Sequence, residues 1–146
     1  MRVIKTQVNN PKLNQLLVSS PNNNRDNITR FSAPAGSKLA LPTMEGIQFE
    51  KTADIVCLLA KGNYTSIHFM GGKKILVCKT LMEVETMINK PNQFIRIHRS
   101  STINLERIQK YIKGKGGYVE METGATVNVS VGKKQAFMHA LKTFFC

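Results

Sequence analysis

From Ser37 onward the chain sets short apolar runs between turn residues, at spacings that suit strands better than long helices. Ile47–Glu50, Ile55–Ala60, Tyr64–Phe69 and Lys74–Cys78 each predict a strand. Gly62-Asn63 is a turn pair, and Gly71-Gly72 predicts a hairpin between the third and fourth of these runs. Thr80-Leu81-Met82-Glu83 has the hydroxyl-x-x-carboxylate spacing of a capping box. It opens a helix of about two to three turns with Leu81, Val84 and Ile88 inward, ended by Pro91. Four more strands follow: Phe94–His98, Ile108–Lys113, Tyr118–Glu122 and Thr126–Val129. From Gly132 to Phe145 the period lengthens, with Phe137, Ala140, Leu141 and Phe144 on one helical face. The pattern predicts a mainly β domain over residues 37–146, with one short internal helix and a C-terminal helix that docks to close it.

Residues 1–36 do not share that pattern. They are rich in Asn, Pro and Ser, with Pro21-Asn22-Asn23-Asn24-Arg25-Asp26-Asn27 as the clearest run, and predict a flexible basic arm. Scattered apolar positions from Val3 to Val18 are compatible with a short helix. The 146 residues carry 21 Lys and Arg against 9 Asp and Glu, a net charge of +12. The arm holds 5 of the basic residues and 1 of the acidic ones, leaving 16 and 8 to residues 37–146. The folded part is therefore basic in its own right, which concentrates polyanions and makes their binding salt-dependent.

The segment Phe94-Ile95-Arg96-Ile97-His98-Arg99-Ser100-Ser101-Thr102-Ile103-Asn104-Leu105 turns that charge into a candidate site. Phe94, Ile95 and Ile97 anchor one end and Ile103 and Leu105 the other, so Arg99 leaves a strand at a fixed point. A guanidinium held beside hydroxyls suits phosphates and guanine edges. Strand alternation sets His98 and Arg99 on opposite faces if the strand continues, with His98 as the support. Lys133 and Lys134 open the final helix, where the backbone is already partly positive. A phosphate bound there would relieve the conflict. Lys110, Lys113 and Lys115 flank Gly114, Gly116 and Gly117, which read as a hairpin turn because the P-loop spacing is lacking.

Other classes find little support. His68, His98 and His139 are dispersed, the carboxylates are few (Glu120 and Glu122 share a strand face, Glu83 and Glu85 do not face together), no nucleophile elbow occurs, and neither an enzyme, a metal nor a cofactor is expected. No run of about 18 apolar residues spans a membrane, and no apolar segment marks a secretory signal. Cys57, Cys78 and Cys146 are odd in number and widely spaced. They are expected to be reduced, the first two buried, in a cytoplasmic protein.

The same residues resemble a known family. F-I-R-I-H-R-S-S-T-I-N-L is similar to the central signature of the LytTR-type DNA-binding domain, a bacterial transcription-factor module. Asp54–Ile67 resembles its strand–Gly-Asn-Tyr–strand segment, Lys79–Glu85 its short helix, and Gly124–Ser130 its closing hairpin. The likeness runs over about residues 38–142 in the family's order. It implies an elongated stack of small antiparallel sheets whose inter-strand loops enter the major groove of double-stranded promoter DNA. Carried over residue by residue, the contacts fall on Lys61, Asn63 and Tyr64; on His98, Arg99 and Ser100; and on Ser130, Lys133 and Lys134. Two protomers on repeated half-sites are implied, without a receiver domain and with regulation left to concentration, the arm or a separate regulatory protein. Where many members carry an arginine after the Val-Ser pair this chain has Val131-Gly132, so phosphate contact is the expectation for that segment.

Two further readings remain beside it. A β-rich RNA-binding module would use the same charge but needs exposed aromatics, and Phe, Tyr and Trp make up only 7% of the chain, with no Trp. A protein-interaction module would use sheet edges or the final helix, with the charge incidental.

Overall fold

The computed structural model describes residues 38–146, and the expected N-terminal arm with its short helix lies outside them. Ten strands and two α-helices follow in order. The strands are β1 (Lys38–Thr43), β2 (Gly46–Lys51), β3 (Ile55–Lys61), β4 (Tyr64–Phe69), β5 (Lys74–Val77), β6 (Phe94–His98), β7 (Ser101–Asn104), β8 (Ile108–Ile112), β9 (Tyr118–Met121) and β10 (Thr126–Asn128). Helix α1 (Leu81–Ile88) lies between β5 and β6, and α2 (Lys134–Phe145) ends the chain. All pairings are antiparallel, in sheets ordered β1-β2, β5-β4-β3-β7-β6 and β10-β9-β8. The domain is mainly β, as the pattern predicted, and its small antiparallel sheets are those that the family resemblance implied.

The central sheet carries a core on each face. Leu58, Ile67, Val77 and Phe94 pack against Leu81, Val84 and Ile88 of α1 and against Leu41 of β1. On the other face Val56, Cys57, Ile97, Ile103 and Leu105 meet Val119, Met121, Val127 and Val129 of the third sheet and Phe137 of α2. Strict alternation would set Val56 on the same face as Leu58. The ladder shifts register between Ile55 and Cys57, and this bulge turns Val56 and Cys57 together toward the second core.

Helix α1 starts as its capping box dictates: Thr80 Oγ1 accepts from Glu83 N at 3.3 Å, and Glu83 Oε1 accepts from Thr80 N at 2.8 Å. It stops at Asn89, whose left-handed backbone (φ 54°) closes the helix two residues before Pro91. Leu81, Val84 and Ile88 are buried as expected.

Two strands had no counterpart in the apolar pattern. β1 contains Pro42, which marks it as an edge strand rather than a central one. β7 is three-quarters polar, yet all four of its residues are buried. Hydrogen bonds explain how: Asn104 Nδ2 donates to Ile55 O at 2.7 Å, and Asn104 Oδ1 accepts from Gln93 Nε2 and Glu106 N, both at 3.0 Å. The expectation that Cys78 is buried is overturned. Along β5 the buried positions are Ile75 and Val77, so alternation sets Cys78 with the exposed Lys74 and Leu76; it is exposed, as is Cys146. Cys57 is buried, and burial pushes its thiol pKa up to about 11, which keeps it protonated and unreactive.

Candidate nucleic-acid interface

The ladder brings three distant segments to one end of the central sheet. β3 and β4 meet at the Gly62-Asn63 turn, with Lys61 opposite Tyr64. β7 runs beside β3 with Ser101 opposite Leu59, so the Arg99-Ser100 turn between β6 and β7 lies at that same end. Ala60 N donates to Ser100 O at 2.8 Å and ties the two turns together. On the far side of β6, Ser130 N donates to Ile97 O at 2.9 Å, which adds the segment leading into α2. Sequence-predicted residues from all three segments are thus neighbours in space.

The Arg99-Ser100 turn is buttressed from beneath. Arg96 donates from Nε and Nη2 to the two carboxylate oxygens of Glu85, both at 2.9 Å. Its Nη1 donates to Arg99 O at 3.2 Å, and Thr102 Oγ1 donates to Glu85 Oε2 at 2.5 Å. Burial works against ionisation of Glu85. The hydrogen bonds from Arg96 and Thr102 and the charges of Arg96 and Lys133 outweigh it and hold the carboxyl below its ordinary value. A planar guanidinium is the side chain that can engage a carboxylate with two donors and still reach a carbonyl with a third.

His98 and Arg99 do not continue a common strand. β6 shifts register between Arg96 and His98 and ends there, and Arg99 sits in the turn. Ser100 N donates to His98 Nδ1 at 3.2 Å, and Ser100 Oγ lies 2.9 Å from the same nitrogen. A backbone N–H can only donate, so Nδ1 is the acceptor and the ring proton resides on Nε2, which remains a donor. His98 and Ser100 are half-buried, while Arg99 is exposed.

The first turn is plainer. Lys61, Gly62 and Asn63 are exposed and Tyr64 is half-buried. Gly62 takes φ 63°, a left-handed value that costs glycine little.

In the third segment Ser130 is half-buried and Lys133 exposed, and a short 3-10 turn (Val131–Lys133) leads into α2. The N-terminus of α2 has no side-chain cap and no acidic residue in its first turn. Lys134 Nζ donates to Gly114 O at 3.3 Å, so the Gly-Lys loop between β8 and β9 lies beside this terminus and brings Lys113 and Lys115 near it. Gly116 of this loop has no room for a side chain: a Cβ there would come within 2.1 Å of Val129 O.

Glu85, Arg96 and Thr102 were not singled out from the sequence, although one signal was there. Glu85 falls on the inward stripe Leu81-Val84-Glu85-Ile88 of α1, and a carboxylate at such a position calls for a cation. Among the described residues no group of three or more His, Cys, Asp and Glu is placed to hold a metal ion. None of the described helices is long and apolar enough to cross a membrane.

Comparison with known proteins agrees with this architecture. Residues 45–142 match the model of the LytTr DNA-binding domain family. The chain is 34% identical over 106 residues to the CO-responsive transcriptional regulator RcoM of Rhodospirillum rubrum, a match covering 70% of this chain and 44% of that protein. It therefore spans less than half the length of that relative. A LytTr DNA-binding domain from Bacillus cereus superposes with a TM-score of 0.62 at 22% identity, over 72% of this chain and 96% of that one, a likeness of fold.

Proposed function

The chain belongs to the LytTr DNA-binding domain family, and from that premise we propose that it is the DNA-binding part of a transcriptional regulator and reads duplex DNA by sequence through its inter-strand turns. One observation carries the reading: the Gly62-Asn63 turn, the Arg99-Ser100 turn and the Ser130–Lys134 segment are joined at one end of a rigid sheet by the Ala60–Ser100 and Ser130–Ile97 backbone hydrogen bonds. Together they present Lys61, Arg99, Lys133 and Lys134 to a polyanion. Turns that project from a sheet end fit the width of the major groove, where the four base pairs are distinguishable.

Within this reading Arg99 pairs with a guanine, supported by the grip of Arg96 on its carbonyl. Asn63 is suited to an adenine edge. His98 offers its Nε2 proton, with Ser100 committed to orienting the ring. Lys61, Ser130, Lys133 and Lys134 contact phosphates, the last two next to the uncapped start of α2. Tyr64 packs at the strand start and contributes its hydroxyl. Two protomers on repeated half-sites would follow the family's habit. A single-stranded RNA reading finds less support, because the exposed aromatics Phe49 and Phe145 lie on β2 and at the end of α2, and only Tyr118, opposite Asn128, stands beside the third segment.

The test is selection from a randomised pool of DNA duplexes at physiological salt, with the wild type and with Arg99→Ala. The expected result is a short enriched motif that loses information at one guanine in the variant. Salt-sensitive retention of the whole pool without a motif would sink sequence reading and leave general polyanion binding.

A further inference from the structure

Among the described residues β2 is an open sheet edge with an unusual surface. Among the described strands it pairs only with β1, in an unbroken register that sets Leu41 opposite Gln48 and Pro42 opposite Ile47. Cys78 N donates to Pro42 O at 2.8 Å, so the Pro42 carbonyl points away from β2. In an antiparallel ladder facing residues share this sense and it alternates along each strand. Ile47, Phe49 and Lys51 therefore direct their N–H and C=O groups to the open edge. Side chains alternate as well. Leu39 and Leu41 turn into the first core, whereas Ile47 is 64% exposed and Phe49 59%, with Met44 at the turn 78% exposed. Neither proline nor bulge guards β2, and an apolar edge of this kind is a template for strand addition.

The charges say what it would add. Ile47, Phe49 and Lys51 share one parity along β2 and Glu45 stands in the turn just before it, so the order is acid, apolar, apolar, base. Read backwards about Gln48, the series is complementary to itself. Ile47 meets Phe49, Glu45 meets Lys51, and Gln48 meets its own copy. A slip by one pair in either direction would set Lys51 against Ile47 or Glu45 against Phe49. We propose that β2 pairs antiparallel with β2 of a second copy of this chain about a two-fold axis at Gln48, giving a strand order β1-β2-β2-β1 across the dimer. The contact is isologous: Ile47 and Phe49 of opposite copies exchange both backbone hydrogen bonds, and the Glu45–Lys51 pair occurs twice. One short strand pair buries less than the ~1,200 Å² of a lasting interface. The dimer is accordingly weak and concentration-dependent in solution, and it does not rest on the DNA-binding reading.

The experiment is sedimentation velocity on the full chain without DNA, from low micromolar to several hundred micromolar. The wild type is expected to pass from monomer to dimer. Glu45→Lys and Lys51→Glu, each at an exposed position, set like charges face to face at both ends and weaken dimerisation about tenfold. The double charge reversal restores it, and Phe49→Asp removes it. In a Cys78→Ser, Cys146→Ser background, Gln48→Cys is expected to form a disulfide dimer on mild oxidation. Facing Cα atoms of a non-hydrogen-bonded pair lie about 4.5 Å apart, within disulfide reach. A wild type that stays monomeric at every concentration overturns the proposal, whether the edge is left open or covered by residues 1–37 of the same chain. A double reversal no better than either single change, with no Gln48→Cys disulfide, overturns the register and the proposal with it.

Discussion

The two turns at the head of the central sheet are neighbours with different support. Gly62-Asn63 is held by its own ladder and by one left-handed glycine, and a Cβ at Gly62 would meet nothing within 4 Å. Arg99-Ser100 rests on Arg96, Glu85, Thr102 and His98, side chains from α1, β6 and β7. Ordering a long side chain against a base costs about 0.5–1.5 kcal/mol when it is not already held. A turn fixed from three elements offers Arg99 a stationary backbone. The plainer turn is left to adapt. On the proposed DNA-binding reading, the contrast predicts that discrimination between bases concentrates at the buttressed turn, and that general affinity is shared by both.

Removing the buttress is the largest way to break the contrast. Glu85→Ala strips Arg96 of both carboxylate bonds and leaves Thr102 without its acceptor, with an expected loss of about 2–3 kcal/mol by urea denaturation. Asn63→Ala at the other turn should stay within about 0.5 kcal/mol of wild type. If the two variants unfolded alike, the buttress would be ornamental.

Arg99→Ala sharpens the functional half of the comparison. It should leave stability unchanged, because the side chain is exposed, and cost about 1–3 kcal/mol of discrimination at one base pair, read by competition between matched and mismatched duplexes. A uniform loss on every duplex would mark Arg99 as a phosphate contact instead. Gly62→Ala tests the plainer turn, whose only demand is φ 63°. The expected cost is about 1–2 kcal/mol of stability, with Gly62→Asn losing less because asparagine tolerates the left-handed region.

The smallest effect is one of pH. The folded Glu85 carboxyl is held below its ordinary value of 4.5, so its contribution is fully present above that value and is lost as pH falls through the lower folded one. Acid unfolding of wild type and Glu85→Gln should therefore differ most above pH 4.5 and converge as the pH falls progressively below it. Equal separation at every pH would show that the carboxylate's charge contributes nothing to the buttress.

Local rules were enough for much of this molecule. The alternation of Tyr64–Phe69 and Phe94–His98, the Thr80–Glu83 capping box, the inward stripe of α1 and the Phe137 face of α2 are each written within a few consecutive residues, and each appears where the pattern put it. So does the excess of base over acid, which no fold can remove. The order of motifs also identified the three segments of the candidate interface, through resemblance to a family. What tertiary structure decided is everything that depends on a partner far along the chain. β7 is a strand because Glu85 and Ile55, 17 and 49 residues from their partners, satisfy its polar groups. Val56 faces the second core because of a bulge, and Cys78 is exposed because the core took Ile75 and Val77, the other face of β5. The grip of Arg96 on the Arg99 carbonyl joins a strand, a helix and a turn. Alternation and capping are properties of adjacent residues, so the sequence carries them alone. Register and the pairing of buried polar groups are set only when distant segments meet and exclude water.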